Sequence, residues 1–313
     1  MVIHMNVLYG IKVNGFYKLV ERVLFEIKFP LRFSTFSKKM YGNFVHVFLL
    51  VYKEKLNVSY RRFVKICDEN SLQRMLCIKR IPHFTTLQKF LQKIEKNIFE
   101  KMVQACHKLL NLKNMEASID GTGFSNTNPS HYYLKRCSTQ EHPVEVKNYT
   151  KTLFITDNNS KLILNIKTFS DNTAETTQLK QMVSEIKDYL AVLLADKGYD
   201  SASNRKHCRE NGIKVHIPLR KYSQTRREQA QVSKRVIEQR LFDDIAYTRR
   251  VLIEAVNSAI KQTLGGFVRA RTSKNQQKQV TIKAIAYNVE HIERTIKIWL
   301  FITTKGFLHR RFC

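Results

Sequence analysis

Three acidic residues in this chain sit where chemistry is most economically built. Asp120 lies in EASIDGTGF (116–124), Asp196 in AVLLADKGYDS (191–201), and Glu254 in YTRRVLIEAVNSAIK (247–261). Each aspartate follows a run of apolar, strand-forming residues, so it falls where a chain leaves a sheet and side chains face a crevice. An acid placed there is costly unless it is paired or bound to a cation. Converging carboxylates supply the oxygen ligands that magnesium demands, and two such ions about 4 Å apart can activate a hydroxyl and stabilise the leaving oxygen of a phosphodiester. Glu254 has Tyr247, Arg250 and Lys261 at offsets of −7, −4 and +7. In a helix advancing about 100° per residue, these four side chains fall within about 60° of one another. Arg250 and Lys261 would neutralise phosphates, and Tyr247 would add a hydrogen bond or a stacking surface. The plainer alternatives are turn or cap roles for the aspartates and ordinary solvated charge pairs for Glu254.

The elements that must position these residues follow from periodicity. Val251, Leu252, Ala255, Val256, Ala259 and Ile260 recur at helical spacing and predict a packed helix around Glu254. EASIDGTGF reads as a buried strand ending at Asp120, and KTLFITDNNSKLILNIKTFS (151–170) as two strands around a turn. Residues 174–190 predict an amphipathic helix and AVLLADKGYDS a strand ending in Asp196. A short helix (203–211), a stop at Gly212 and a strand (214–220) follow. This is a mixed α/β layout. Residues 34–113 are instead helical throughout: VHVFLLVYKEKL, SYRRFVKICDEN and TTLQKFLQKIEKNIFEKMVQACHKLL carry apolar residues three and four apart. Ser59 and Thr85 stand at N-cap positions, with Pro82 between two helices. This basic module reads either as a packing subdomain or as a helix-turn-helix-like DNA reader.

Charge narrows the partner. The chain has 54 lysines and arginines against 26 acids, a formal charge of +28. A polyanion is the expected partner. Residues 1–110 hold 20 bases and 7 acids, and residues 205–240 hold 11 and 3, so two separate stretches suit a phosphate backbone. No apolar run approaches the length of a membrane span: FVHVFLLVY (44–52) and IWLFI (298–302) are short. A clean signal peptide is also missing from the N-terminal stretch, so the chain reads as cytoplasmic. The six cysteines and ten histidines show no paired metal-ligand spacing, which argues against a zinc finger and leaves carboxylates as the expected ligands of any metal.

The order Tyr, two residues, Arg, three residues, Glu, six residues, Lys is met without a gap by Tyr247, Arg250, Glu254 and Lys261. It resembles the signature around the third acid of bacterial and archaeal insertion-sequence transposases with a DDE triad, the insertion-sequence four and five superfamily. IDGTGFS and LADKGYDS resemble that family's first and second acid motifs, and residues 36–64 its N-terminal helical region; the similarity covers roughly residues 34–295. The resemblance implies an α/β, ribonuclease-H-like mixed-sheet core preceded by a basic all-α domain. It implies that Asp120, Asp196 and Glu254 bind two Mg²⁺ ions, with Mn²⁺ able to substitute, and that Tyr247, Arg250 and Lys261 contact the DNA end. Water would cleave at the element's ends, and the freed 3′-hydroxyl would attack target DNA. The expected partners are double-stranded DNA, as terminal repeats and as target, and a second copy of the chain in a nucleoid-associated dimer. The expected division is a helical DNA-binding domain over 1–113, a catalytic domain over 114–300 and a tail over 301–313. Because 57 residues separate Asp196 from Glu254, the large β-rich insertion of some relatives does not fit, which weighs against a hairpin-forming route.

Other acids compete. Glu238, followed by Asp243 and Asp244, lies on a plausible helix, but the four-residue signature favours Glu254. Asp200 reads as a cap for the helix after it, Asp157 as turn chemistry, Asn257 as a helix-surface residue more than a support for the site, and His131 as a residue within reach of DNA. Two rival functions stay open: a nuclease or resolvase on the same core, and a non-catalytic DNA-binding remnant.

Overall fold

The computed structural model describes residues 2–34, 36, 40–126, 149–169, 174–219 and 242–309, with backbone alone over 2–13 and 299–309. The chain divides into two compact units, one of residues 1–110 with 282–313 and one of residues 111–281.

The second unit is built on a mixed sheet. Strands β1 (Met115–Asn126), β2 (Tyr149–Asp157), β3 (Ile163–Phe169), β4 (Leu190–Ala195) and β5 (Lys214–His216) lie in the order β3-β2-β1-β4-β5, and β6 (Phe267–Val268) pairs with the far end of β1. The pairs β1–β2 and β2–β3 are antiparallel, while β1–β4, β4–β5 and β1–β6 are parallel. An antiparallel meander continued by parallel crossovers is the ribonuclease-H-like arrangement. Period-two alternation explains the strand faces. Met115, Ala117 and Ile119 join Leu193, Ala195, Leu153 and Ile155 in the core beneath helices α7 (Glu175–Ser184) and α8 (Ala202–Glu210). Glu116, Ser118 and Asp120 alternate with them and project from the opposite side of the strand. Gly212, at φ +71°, ends α8 in a conformation that glycine adopts without strain.

β1 is longer than its sequence pattern implies. The expected end at Asp120 is overridden because β2 pairs with β1 from Ala117 to Ser125, carrying the strand on through the glycines. Only the parallel partner stops early, its last register pair being Ile119 with Ala195. Asp120 therefore lies within a strand, at the point where one neighbour has ended.

On the other side of the sequence, α9 (Asp244–Thr248) and α10 (Val251–Leu264) follow, and α10 packs on β1. Asp243 caps α9 by accepting the Ala246 N–H at 2.9 Å. The buried Ile253, Val256, Ile260 and Leu264 form the apolar stripe of α10.

The first unit is helical: α1 (Val2–Glu26), α2 (Asn43–Lys55), α3 (Tyr60–Glu69), α4 (Leu72–Met75), α5 (Phe84–Lys93) and α6 (Lys96–Ala105), joined by the later part of α11 (Ser273–His309). α2 is buried on nearly every side, which is why its middle, Val47 to Tyr52, is apolar on every face. Phe16, Val20, Val23 and Leu24 of α1 are buried as well, each contributing about 1.5–3 kcal/mol of burial. Lys53 and Lys283 both pair with the buried Glu54, so the one acid at the end of α2 carries two cations. Ser59 caps α3 as expected, accepting the Arg62 N–H. The second cap differs: α5 begins at Phe84 after His83, and Thr85 lies inside it, bonded to the His83 ring at 2.8 Å. The long helix expected over 85–110 is broken at Ile94, whose extended backbone separates α5 from α6. Among the described residues no helix is long and apolar enough to cross a membrane.

Candidate active site

The register of β1 and β4 brings the two aspartates together. Ile119 stands opposite Ala195, so the next residue on each chain, Asp120 and Asp196, emerges at the same edge. Beyond Asp196 a 3-10 turn (Lys197–Tyr199) starts, and the β4 partner of β1 is gone. Glu254 reaches the same region from α10.

Asp120 is the centre of the contacts. Asn257, one turn after Glu254, donates its amide to Asp120 Oδ2 at 3.3 Å. Arg250 lies between two acids, 4.0 Å from Asp120 Oδ1 and 3.1 Å from Glu254 Oε1. Burial raises the Asp120 pKa above the usual aspartate range; the Gly121 N–H and Arg250 oppose that shift, and the charges of Glu175 and Glu254 add to it. Desolvation and like charge thus both disfavour the ionised carboxylate, which is the condition a bound cation relieves.

A second group lies on the α7 face of β1, across the strand from the Asp120 side chain. Glu175, the first residue of α7, accepts the Tyr199 hydroxyl at 2.9 Å and pairs with Lys151 of β2 at 3.1 Å. Its carboxylate rests against the backbone of Gly121: a Cβ there would lie 2.7 Å from Glu175 Oε1. Tyr199 is held protonated first by burial and then by the charges of Glu175, Asp120 and Asp196, which places all three acids within electrostatic reach of one phenol. Burial likewise raises the pKa of Tyr247, with Asp196 adding to the shift and Arg250 opposing it by charge and by a hydrogen bond to the phenol. Lys261, two turns beyond Glu254, has its Nζ 5.8 Å from the Phe124 ring.

The structure therefore gathers Asp120, Arg250, Glu254 and Asn257 in direct contact and keeps Asp196 and Tyr247 within electrostatic range, with Lys261 farther along the same helix. It does not close the acids into a cage: among the described residues no three His, Cys, Asp or Glu side chains are grouped to hold an ion. The donor set nevertheless fits a hard divalent cation. It consists of oxygens, two of the acids carry the Arg250 guanidinium between them where a cation would compete with it, and the buried Asn257 Oδ1 has no hydrogen-bond partner although the residue is only 7% exposed.

A family model described as Transposase DDE domain matches residues 114–289. The chain belongs to the DDE transposase family. No curated protein sequence matches it. Among solved structures, a cryo-EM structure of the piggyBac transposase synaptic complex with hairpin DNA is similar over 95% of this chain and 76% of its own, at 11% identity and a TM-score of 0.44.

Within this family member several rival residues take structural places. Asp243 is a cap, and Asp157 accepts the Ser160 N–H at 2.6 Å in its turn. Asp200 is no helix cap; Ser201 caps α8, and Asp200 is buried in an ion pair with Arg205 at 2.9 Å. Asn257, expected on the helix surface, is buried because α10 packs that turn against β1. Glu238 and His131 lie outside the described residues. Sequence reasoning missed Glu175, Tyr199 and Lys151. Their only signal was an acid at the head of an amphipathic helix, paired with a glycine directly after the first aspartate.

Proposed function

We propose that this chain is an insertion-sequence transposase of the four and five superfamily, which binds double-stranded element ends and carries out strand cleavage and strand transfer. The observation that carries the proposal is the convergence on Asp120, inside the family-matched segment, of Arg250 at the start of α10 and Asn257 within it, with Glu254 paired to Arg250. Tyr247 comes from the separate short helix α9, because the chain turns at Arg249 and Arg250 instead of continuing as the single helix expected over 247–261. Asp120, Asp196 and Glu254 would hold two Mg²⁺ ions, for which Mn²⁺ can substitute. When bound, these ions supply the activation of the attacking hydroxyl and the stabilisation of the leaving oxygen.

The chain's own residues do the rest. Asn257 holds Asp120 Oδ2, and Oδ1, which faces Arg250, would ligate once Arg250 turns away. Arg250, released from Glu254, turns to the scissile phosphate as a planar, charge-matched donor. Tyr247, whose raised pKa keeps its hydroxyl protonated, donates a hydrogen bond at the same backbone. Lys261 extends the positive face by two helical turns toward the neighbouring phosphate. The helical segment 1–113 would recognise the terminal repeats, 114–300 would perform the chemistry, and 301–313 would form a tail. The complex would be a homodimer on paired ends, associated with the nucleoid in the cytoplasm.

The test incubates purified protein with labelled DNA from both flanks of its gene and Mg²⁺ or Mn²⁺, beside an Asp196→Asn control. Joined strands that vanish in the control support the proposal. Cut ends without joining would make the protein a nuclease, and metal-independent binding without cutting would make it a DNA-binding remnant.

A further inference from the structure

We infer that Glu116 and Arg249 form the anchor that keeps the corner between α9 and α10 on β1 and so presents Tyr247 and Arg250 to the reacting DNA. Glu116 is thereby a positioning residue, and the inference rests on the strand-cleavage reading above. Arg249 stands directly before the signature arginine, and the signature leaves it without a task. Its guanidinium closes a two-point fork on Glu116 across 133 positions of sequence, Nε to Oε1 at 2.7 Å and Nη2 to Oε2 at 2.6 Å. Arg250, the next residue, turns to Asp120 and Glu254 instead. Glu116 and Asp120 project from one side of β1, four positions and about 13 Å apart along the strand. Adjacent arginines therefore tie the same corner to one strand at two acids. The two ties differ in what backs them. Glu116 Oε1 also accepts the Asn158 side-chain amide at 2.9 Å, the Asn158 backbone N–H donates to the Glu116 carbonyl at 2.8 Å, and Asn158 Oδ1 accepts the Ser118 hydroxyl at 2.8 Å. Asn158 and Ser118 are buried, so the turn between β2 and β3 grips Glu116 from behind. Asp120 has a 3.3 Å bond from Asn257, which rides on the same helix as Glu254.

If Arg250 leaves its acids for a phosphate, the corner needs a fixed point that stays behind. Arg249 supplies it, because both oxygens of its partner are engaged and that partner is itself held by a buried amide. A second attachment secures the start of the corner: the Asp243 N–H donates to His216 Nδ1 of β5 at 3.0 Å, and the Phe242 ring meets the His216 and Tyr247 rings at 5.8 and 5.1 Å. That attachment ends before Arg249. The plainer roles for the pair are an inconsequential surface ion pair and a direct phosphate contact by Arg249. Surface pairs matter where the geometry is bidentate or several groups form a network, and both conditions hold here. A phosphate would have to displace a carboxylate that already fills the fork and that Arg249 holds below the usual glutamate pKa range.

The test takes the full-length wild type, Glu116→Gln, Arg249→Ala and the double variant through three measurements. These are single-turnover cleavage at saturating flank DNA, DNA affinity across salt, and amide exchange of residues 247–253 without DNA. Glu210→Gln, which breaks an exposed pair with Lys206 on α8, is the control and should match the wild type throughout. Glu116→Gln keeps the shape and the Asn158 contact, so it should fold. Cleavage at saturating DNA should fall about ten- to hundredfold in each single variant, the cost of a misplaced reacting group. The double variant should fall no further, because both changes remove one pair. DNA affinity and its salt slope should stay at the wild-type values, while the hydrogen-bonded amides of the corner exchange about tenfold faster and those of α8 do not change. A lower salt slope in Arg249→Ala alone would make Arg249 a phosphate contact and overturn the inference. Faster exchange with wild-type cleavage would make the pair a packing feature and overturn it as well. Unchanged exchange in Glu116→Gln, with a wild type that cuts, defeats the anchor and leaves the strand-cleavage reading standing. A wild type that cuts no flank DNA defeats that reading and takes the positioning role with it.

Discussion

Asn257 and Asp120, 137 residues apart in sequence, are joined by a 3.3 Å hydrogen bond that ties helix α10 to the strand carrying the first acid. The bond is one-sided, because Asn257 Oδ1 is buried without a partner. Replacing the amide removes a favourable contact and an unfavourable orphan together, and these offset each other to within about 1 kcal/mol. Asn257→Ala should therefore unfold within a few degrees of the wild type while strand cleavage falls about ten- to hundredfold, since residues that orient a metal ligand carry effects of that size. Parallel melting and cleavage assays decide it; a large loss of stability with unchanged cleavage per folded molecule would make Asn257 a packing residue.

Asp120 should weaken the metal-free fold at neutral pH. Its pKa is raised on folding, chiefly by burial, so its contribution to stability is greatest when it is protonated and is lost as pH rises from its ordinary range through the raised value. Asp120→Asn removes that dependence. Melting temperatures taken from pH 4 to 8 should show the variant gaining on the wild type as pH rises, with added Mn²⁺ closing the gap for the wild type only. A pH-independent difference would mean that Asp120 is not strained in the fold.

Asp200 and Arg205 form a buried ion pair, and Arg205 also donates to the Ile217 carbonyl at 2.6 Å. Arg205→Ala leaves an uncompensated buried carboxylate and should cost about 3–5 kcal/mol. Urea denaturation measures it. A loss below about 1 kcal/mol would return Asp200 to the role of an exposed cap.

These cases separate what local sequence encodes from what it does not. Helix α10 and strands β1 to β4 are legible because apolar residues recur at the period of each element, and the level placement of Asp120 and Asp196 follows from two strands of like pattern in parallel. The extension of β1 to Asn126 is invisible, because it depends on pairing with β2 across two glycines. The burial of Asn257 depends on which turn of α10 meets the sheet, and the approach of Glu175 depends on a missing Cβ on another element. Thr85 misleads for a similar reason: several residues before α5 can begin a helix, and tertiary packing selects Phe84 after His83.

Arg250 and Lys261 share one face of α10, yet their substitution should be distinguishable. Arg250 is largely covered and tied to Asp120 and Glu254. Lys261 lies over Phe124 and has no acid in contact among the described residues. If both bind phosphates, each Ala variant should lower the slope of log affinity against log salt by about 0.9, the signature of one lost phosphate contact on duplex DNA. Only Arg250→Ala should change the metal response, because removing a cation from between two acids increases their repulsion and strengthens the pull on a divalent ion. DNA binding measured across salt, together with Mn²⁺ titration in the absence of DNA, reads both effects. Equal metal affinity in the two variants would show that Arg250 acts on DNA alone, and an unchanged salt slope in Lys261→Ala would remove Lys261 from the DNA-contacting face.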